Sequence, residues 1–104
     1  MISRVWHGWT ARTNAHKYEE LLRSEVLPGI RRVKGFKGAQ VLRRDVADHD
    51  EVEFVTITLF DSMEAVKEFA GEDYEVAVIL PEAHGLLKRF DARSAHYETV
   101  VRIE

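Results

Sequence analysis

The pattern of apolar positions predicts that the chain begins with a strand followed by a helix. Residues 2–10 are rich in β-branched and aromatic side chains, which is typical of a strand. Apolar residues then recur at helical spacing, at Ala15, Tyr18, Leu22 and Val26. Asn14 stands where a helix cap is expected. Pro28 and Gly29 are predicted to interrupt this helix, which regains one turn before it ends near Gly35.

The middle of the chain predicts a β-hairpin. Residues 36–44 and 51–60 both read as strands, and the segment EVEFVTITLF at 51–60 carries the clearest strand pattern. The polar residues 45–50 between them are typical of a turn. The two strands are therefore predicted to pair with each other.

Further helices and a final strand are predicted after the hairpin. Asp61 and Glu64 have the spacing of a capping box, so a helix is expected to begin there. Two more segments, residues 74–80 and 81–90, are predicted to be helical, with Pro81 in a first helical turn. Residues 91–103 are expected to form a long closing strand. The resulting order, βαββαβ, is that of an α+β ferredoxin-like fold with its helices on one face of an antiparallel sheet.

Both faces of the predicted sheet carry apolar side chains. In the third strand Val55, Ile57 and Leu59 point to one face, whereas Val52, Phe54 and Phe60 point to the other. The helices of one chain cover one face only, and a sheet with a wet face normally alternates apolar and polar residues. The pattern therefore predicts a homodimer in which the uncovered faces of two copies pack together.

Composition narrows the possible functions. The chain has 104 residues, the size of one domain at 1–104, and 15 basic against 18 acidic residues give a net charge of −3. This balance argues against general binding to nucleic acid. No cysteine is present, which excludes disulfides and thiolate chemistry. The first residues lack the apolar run of a signal peptide, and no segment has the length of a membrane span. A cytoplasmic protein without nucleic-acid or membrane partners is expected.

Histidines are the candidates for acid–base chemistry. His7 lies in the middle of the first strand, where a buried imidazole can act as a base or serve only as a hydrogen-bonded structural group. His96 lies in the last strand beside Tyr97, and one of these two side chains can face the pocket while structural roles remain the alternative for both. His16 and His49 are expected to be solvated. No histidine pair has metal-ligand spacing, so no metal site is expected. Glu53 in the third strand is expected to face water near a strand end or to pair with an arginine such as Arg4 or Arg43.

Three segments resemble the antibiotic biosynthesis monooxygenase domains of the dimeric α+β barrel superfamily. They are FVTITLFDSMEA at 54–65, Glu82-Ala83-His84 and SAHYE at 94–98, and the resemblance extends over nearly the whole chain. It implies a pocket between the sheet and the helices. It also implies a reaction that needs no metal, flavin or haem, in which a deprotonated phenolic substrate reduces O2 directly. The substrate would be a small aromatic or polyketide-like molecule.

The resemblance also suggests site residues and leaves alternatives open. His7 and His84 are expected as the catalytic polar pair, and the expected substrate-binding residues are Trp9, Phe69, Tyr74 and His96. The haem-degrading branch of the superfamily suggests His84 as an iron ligand instead. That branch carries an asparagine where this chain has His7 and a tryptophan where it has Phe69. A non-enzymatic dimer that binds a small molecule is the third possibility.

Overall fold

The fold is built on one antiparallel five-stranded sheet, seen in a computed structural model that describes residues 1–47 and 50–103. The strands run in the order β2-β3-β1-β4, and β5 also pairs with β1. Their bounds are β1 Ile2–Ala11, β2 Phe36–Val46, β3 Glu51–Phe60, β4 Leu87–Phe90 and β5 Ala95–Glu98. Since β4 and β5 lie one after the other along β1, they form one edge strand in two pieces. The predicted α+β ferredoxin-like arrangement is confirmed, whereas His49 lies outside the described residues.

The helical segments follow the predicted positions but not every predicted boundary. They are a 3-10 turn Arg12–Asn14, α1 Ala15–Leu21, a π-helical turn Leu22–Val26, α2 Leu27–Arg31, α3 Met63–Ala70 and α4 Pro81–His84. The predicted interruption at Pro28 is wrong, because the wider π turn precedes it and Pro28 stands in the first turn of α2. At that position a missing backbone N–H removes no helical hydrogen bond.

The helix caps differ from the prediction by a residue. Ser62 caps α3, with its hydroxyl accepting from the Ala65 backbone N–H at 3.3 Å. Asp61, the predicted cap, instead accepts from the Ser62 hydroxyl at 3.0 Å. Asn14 occupies the cap position of α1, but its side chain makes no capping bond. Short polar side chains close together compete for one cap, and the backbone decides which of them is used.

The helix predicted at 74–80 is wrong, and the one predicted at 81–90 is helical only over Pro81–His84. Residues 74–80 form an extended loop, in which Val76 bridges to Arg93 and the Ala77 N–H donates to the Ala92 carbonyl at 2.9 Å. These bonds satisfy backbone groups that a helix would have satisfied internally. Residues 87–90 are strand β4, and the last strand ends at Glu98 rather than at residue 103. A short apolar run fits both a strand and a helix, so periodicity alone did not separate them.

The two faces of the sheet have different environments. The helices cover Val52, Phe54 and Phe60, which are fully buried, and the Tyr18 ring meets Phe54 edge-on at 4.9 Å. Cross-strand register places a second apolar set on the opposite face, here called the apolar outer patch: Val5, Leu42, Val55, Ile57 and Leu59. No helix in the described part of the chain crosses that face, and none is long and apolar enough to span a membrane.

Candidate functional site

A pocket lies between the sheet and the helices. The space within it is about 540 Å³ when the open solvent at its mouth is included. The loop at 74–80 closes one side with Val78, Ile79 and Leu80. The remaining apolar walls are aliphatic and aromatic side chains from the sheet and helices, among them Trp6, Tyr18, Leu22, Val26 and Phe69. An apolar cleft of this kind, with a few polar groups, is the usual form of a small-molecule site.

Four polar residues converge on this pocket from the strands and the segment between β4 and β5. They are Arg4, Thr56, Thr58 and Ser94. The Thr56 Oγ1 atom is buried and has no hydrogen-bond partner among residues 1–47 and 50–103. A buried hydroxyl without a hydrogen bond lowers the free energy of unfolding unless a ligand or a water molecule supplies the missing partner. Thr56 therefore brings a hydroxyl without a described partner to the wall of this pocket.

Trp6 forms a rigid part of the pocket wall. Its indole N–H donates to the Asp91 carbonyl at 2.7 Å, and its ring passes over Gly8. A Cβ atom on Gly8 would lie 2.6 Å from the Trp6 ring, so only glycine allows this close approach. The small residue at position 8 is thus explained by the tryptophan two residues before it.

Arg4 is the charged group of the pocket. Its residue is 5% exposed, and its guanidinium donates to the Val76 carbonyl at 3.2 Å, to the Tyr74 carbonyl and to His96 Nε2 at 2.9 Å. The guanidinium also lies 5.5 Å from the centre of the Phe69 ring. Burial lowers the pKa of Arg4 to about 10, so the side chain still carries its charge at neutral pH.

His96 is held neutral by its surroundings. Burial first, and the Arg4 charge second, lower the pKa of its imidazole, while Glu75 acts in the opposite direction. Because Arg4 donates to Nε2, the proton of the neutral ring is on Nδ1. The ring also meets Tyr74 edge-on at 5.2 Å. His96 therefore serves as an acceptor for Arg4.

His96 is expected to make stability depend on pH. The unfolded chain protonates this histidine below its ordinary pKa of 6.5, whereas the folded chain resists protonation. The contribution of His96 is therefore present above that value and is lost as the pH falls below it. We expect His96→Gln, which keeps an acceptor for Arg4, to flatten the decline in urea unfolding midpoint between about pH 8 and about pH 5.5. An unchanged decline in the variant would contradict this account.

His7 and Trp9 lie on the outer face of the sheet, away from the pocket. His7 Nδ1 is 3.0 Å from Glu53 Oε2, and the Arg44 guanidinium donates to the other oxygen of Glu53 at 2.6 Å. Glu53 thus pairs with an arginine as expected, but the partner is Arg44 and not Arg4 or Arg43. The hydrogen bond from His7, followed by the Arg44 interaction, lowers the pKa of Glu53. Trp9 stacks under the Arg89 guanidinium at 3.9 Å.

The remaining predicted site residues are divided between the pocket and the surface. Phe69 lines the pocket, while Tyr74 and His96 adjoin it through Arg4. His84 is exposed on α4, with its ring 5.7 Å from that of Phe90. The two histidines predicted as a pair are thus not brought together, since His7 lies on the outer face.

The polar residues that line the pocket were not among the residues predicted for the site. Arg4 shares the helix-facing side of β1 with Trp6, and this two-residue period was a usable signal. The same period puts Thr56 on the helix-facing side of β3, opposite Trp6. Ser94 gave no local signal, because only the break between β4 and β5 brings it to the pocket.

Solved structures of antibiotic biosynthesis monooxygenases share this fold. A protein of Deinococcus radiodurans with that provisional name aligns over 100% of this chain and 97% of its own, with a TM-score of 0.68 and 15% identity. The monooxygenase ActVA-Orf6 of Streptomyces coelicolor, solved with the ligand nanaomycin D, covers 99% of this chain and 90% of its own, with a TM-score of 0.61 and 19% identity. No protein-family model matches the sequence, and no curated protein is significantly similar to it. The expected likeness to these domains is confirmed at the level of fold.

Proposed function

We propose that this protein is a homodimeric monooxygenase that inserts an oxygen atom into a small aromatic or polyketide-like molecule without a metal or organic cofactor. The observation that carries this proposal is the apolar pocket between sheet and helices, with its few convergent polar groups. A neighbour of the same fold is a monooxygenase whose structure holds nanaomycin D. A shared fold does not determine the chemistry of a site, whereas the shape and polar groups of a pocket limit what it can bind.

The pocket suits a reaction in which the substrate itself reduces oxygen. An acidic methylene group between aromatic rings loses a proton, and the carbanion transfers electrons to O2. One oxygen atom becomes the new carbonyl, and the other leaves as water together with both methylene hydrogens. The protein has to orient the substrate and keep bulk water away, which the walls of Trp6, Tyr18 and Phe69 provide. The assignment of His7 or His84 as the base stays a prediction, and neither residue lines the pocket.

Oxygen uptake tests the proposed reaction. Purified protein freed of metals is mixed with a panel of anthrones, hydroquinones and flavonols, and O2 consumption is compared with the spontaneous rate. We expect catalysed uptake with at least one of these classes and a product that gains one oxygen atom from 18O2. Binding of panel members without catalysed uptake would favour the non-enzymatic binding dimer instead.

Thr56→Val is expected to separate activity from stability. The substitution keeps the shape of the side chain and removes a buried hydroxyl that has no described partner. We therefore expect the free energy of unfolding to rise by about 1 kcal/mol, because the desolvated hydroxyl is gone. We also expect kcat/KM to fall about tenfold, because the substrate loses a polar contact.

Thr10→Val provides the matched control for that variant. Thr10 is fully buried, and its hydroxyl likewise has no partner among the described residues, but it does not line the pocket. The Thr10→Val variant should show a similar rise in the free energy of unfolding, and its kcat/KM should be unchanged. Equal losses of activity in the two variants would show that Thr56 has no specific role in the pocket.

The haem alternative depends on His84, and the structure places that side chain at the surface. The described residues that line the pocket include no histidine, and none of the described residues forms a cluster of three or more metal-ligating side chains. The geometry thus does not fit an axial haem ligand within the pocket. A titration with hemin checks this alternative, and we expect no Soret shift that depends on His84.

The apolar outer patch supports the homodimer in this proposal. Leu42 on this patch remains 47% exposed in the single chain, and Ile57 and Val55 are only half-buried. At one end of this face the carboxylates of Glu53 and Glu51 already have ion-pair partners within the same chain. A second copy can therefore cover the patch without leaving an unpaired carboxylate.

A further inference from the structure

We infer that the ligand of this pocket carries an acidic oxygen and is bound as its anion at Arg4, with the Thr56 hydroxyl completing the contact. This substrate class rests on the proposed function, because it assumes that the pocket of that function is the binding site. The anion is a carboxylate or an ionised phenol or enol on an aromatic framework. The inference follows from three observations: an uncompensated charge, an unused hydroxyl and the apolar walls around them.

The charge of Arg4 has no negative partner in the part of the chain that the structure describes. Its three bonded neighbours are two backbone carbonyls and a neutral imidazole, and no described carboxylate lies within 4.0 Å of the guanidinium. Glu75, whose charge reaches His96, pairs instead with Arg93 at 3.3 Å. Carbonyl dipoles solvate a cation but do not neutralise it. A buried cation of this kind is best stabilised by an anion within the same site.

The geometry leaves Arg4 able to bind such an anion. A guanidinium has five N–H donors, and the three bonds seen here leave donors for a ligand. Thr56 lines the same pocket with a buried hydroxyl that has no described partner. A ligand oxygen that accepts from both would satisfy the hydroxyl and the charge together. The apolar walls exclude water and strengthen this charge-assisted contact.

The same contacts give Arg4 a structural task, so the test must not depend on its replacement alone. By donating to Tyr74 and Val76, the guanidinium ties the loop at 74–80 to the sheet. Loss of the loop would remove the pocket whatever the charge of the ligand. The first measurement therefore uses the unaltered protein and two ligands of nearly the same shape.

The first test compares 2-naphthoate with 2-naphthamide, which differ in charge but hardly in shape. Isothermal titration of the full chain, in the absence of oxygen, gives both affinities at neutral pH. We expect the carboxylate to bind about tenfold or more tightly than the amide. A second measurement titrates bound 4-nitrophenol by its absorbance, and we expect its pKa to be lower than that of the free phenol. No preference for the carboxylate, together with an unchanged or raised phenol pKa, would overturn the inference.

Variants then locate the anion. Arg4→Gln should reduce the affinity for 2-naphthoate to that for 2-naphthamide, and Arg4→Lys should restore part of it. Binding of the neutral amide should change little, which shows that the pocket has survived. Arg32→Gln is the matched control, since Arg32 is exposed at the end of α2. A loss of carboxylate preference in Arg32→Gln, with none in Arg4→Gln, would overturn the assignment.

These outcomes are independent of catalysis. A preference for the anion with no catalysed oxygen uptake would uphold the binding site and contradict the proposed monooxygenase. Catalysed oxygen uptake without any preference for the anion would support the proposed monooxygenase and contradict the anion site at Arg4.

Discussion

Ile57→Lys is expected to convert the protein from a dimer into a monomer at micromolar concentration. Ile57 lies in the middle of the apolar outer patch, where its β1 neighbour is Val5 and its β2 neighbour is Gln40. In a symmetric interface each substitution occurs twice, so two ammonium groups would be placed in the covered region. We expect the dimer dissociation constant to rise by roughly a hundredfold or more, because lost apolar burial and uncompensated charge act together.

Light scattering coupled to size exclusion measures this change directly. Val76→Lys is the control, because Val76 is 42% exposed in the loop at 74–80 and lies off the apolar outer patch. It introduces the same side chain and should leave the mass of the dimer unchanged. A monomeric mass for the unaltered protein would contradict the proposed dimer itself. A dimeric mass for Ile57→Lys would show that the dimer uses another surface.

Gly35→Ala is expected to have the largest effect on stability among the glycine substitutions. Gly35 has a φ of +94°, which side-chain-bearing residues rarely adopt. A Cβ atom there would lie 2.6 Å from Asp61 Oδ1 and 2.8 Å from the Ala65 Cβ atom. The Gly35 carbonyl also accepts from the Asp61 N–H at 2.8 Å, which fixes the start of α3 next to β2. We expect a loss of about 2 to 4 kcal/mol in the free energy of unfolding.

Gly29→Ala is the matched control for that substitution. Gly29 lies within α2, and a Cβ atom there meets nothing within 4 Å. Because alanine restricts the unfolded chain and favours the helix, we expect a gain of about 0.5 to 1 kcal/mol. Chemical unfolding at a fixed protein concentration measures both variants. Similar effects of the two substitutions would contradict the specific crowding described at Gly35.

Much of the fold was predictable because hydrophobic period and local chemistry agreed. The strands at 2–10, 36–44 and 51–60 all appear, each within two residues of its predicted bounds. The hairpin follows from these strands and the polar turn between them. The prediction and the structure disagree after Ala70, because the short apolar runs there fit a strand as well as a helix. There the partner segment, and not the local sequence, determined that residues 87–90 join the sheet.

The candidate site was less predictable for a physical reason. Histidines were predicted as the acid–base groups because imidazole ordinarily titrates near neutral pH. In the structure His7 lies on the outer face of the sheet and His84 lies at the surface. Arg4 was predicted only as a possible ion-pair partner of Glu53, since arginine is seldom buried without a carboxylate. Its role became visible only when the loop at 74–80 was placed across it.

By itself the sequence determined the alternation of elements, the antiparallel hairpin and the two apolar faces of the sheet. These properties depend on side-chain period and turn chemistry, which act over a few residues. Tertiary structure alone decided which polar groups share the pocket. Arg4, Thr56 and Ser94 are separated by many residues and meet only because β1 pairs with both β3 and the edge strand. The pKa and the binding partners of a buried charged group depend on the residues packed around it, and the local sequence does not specify those residues.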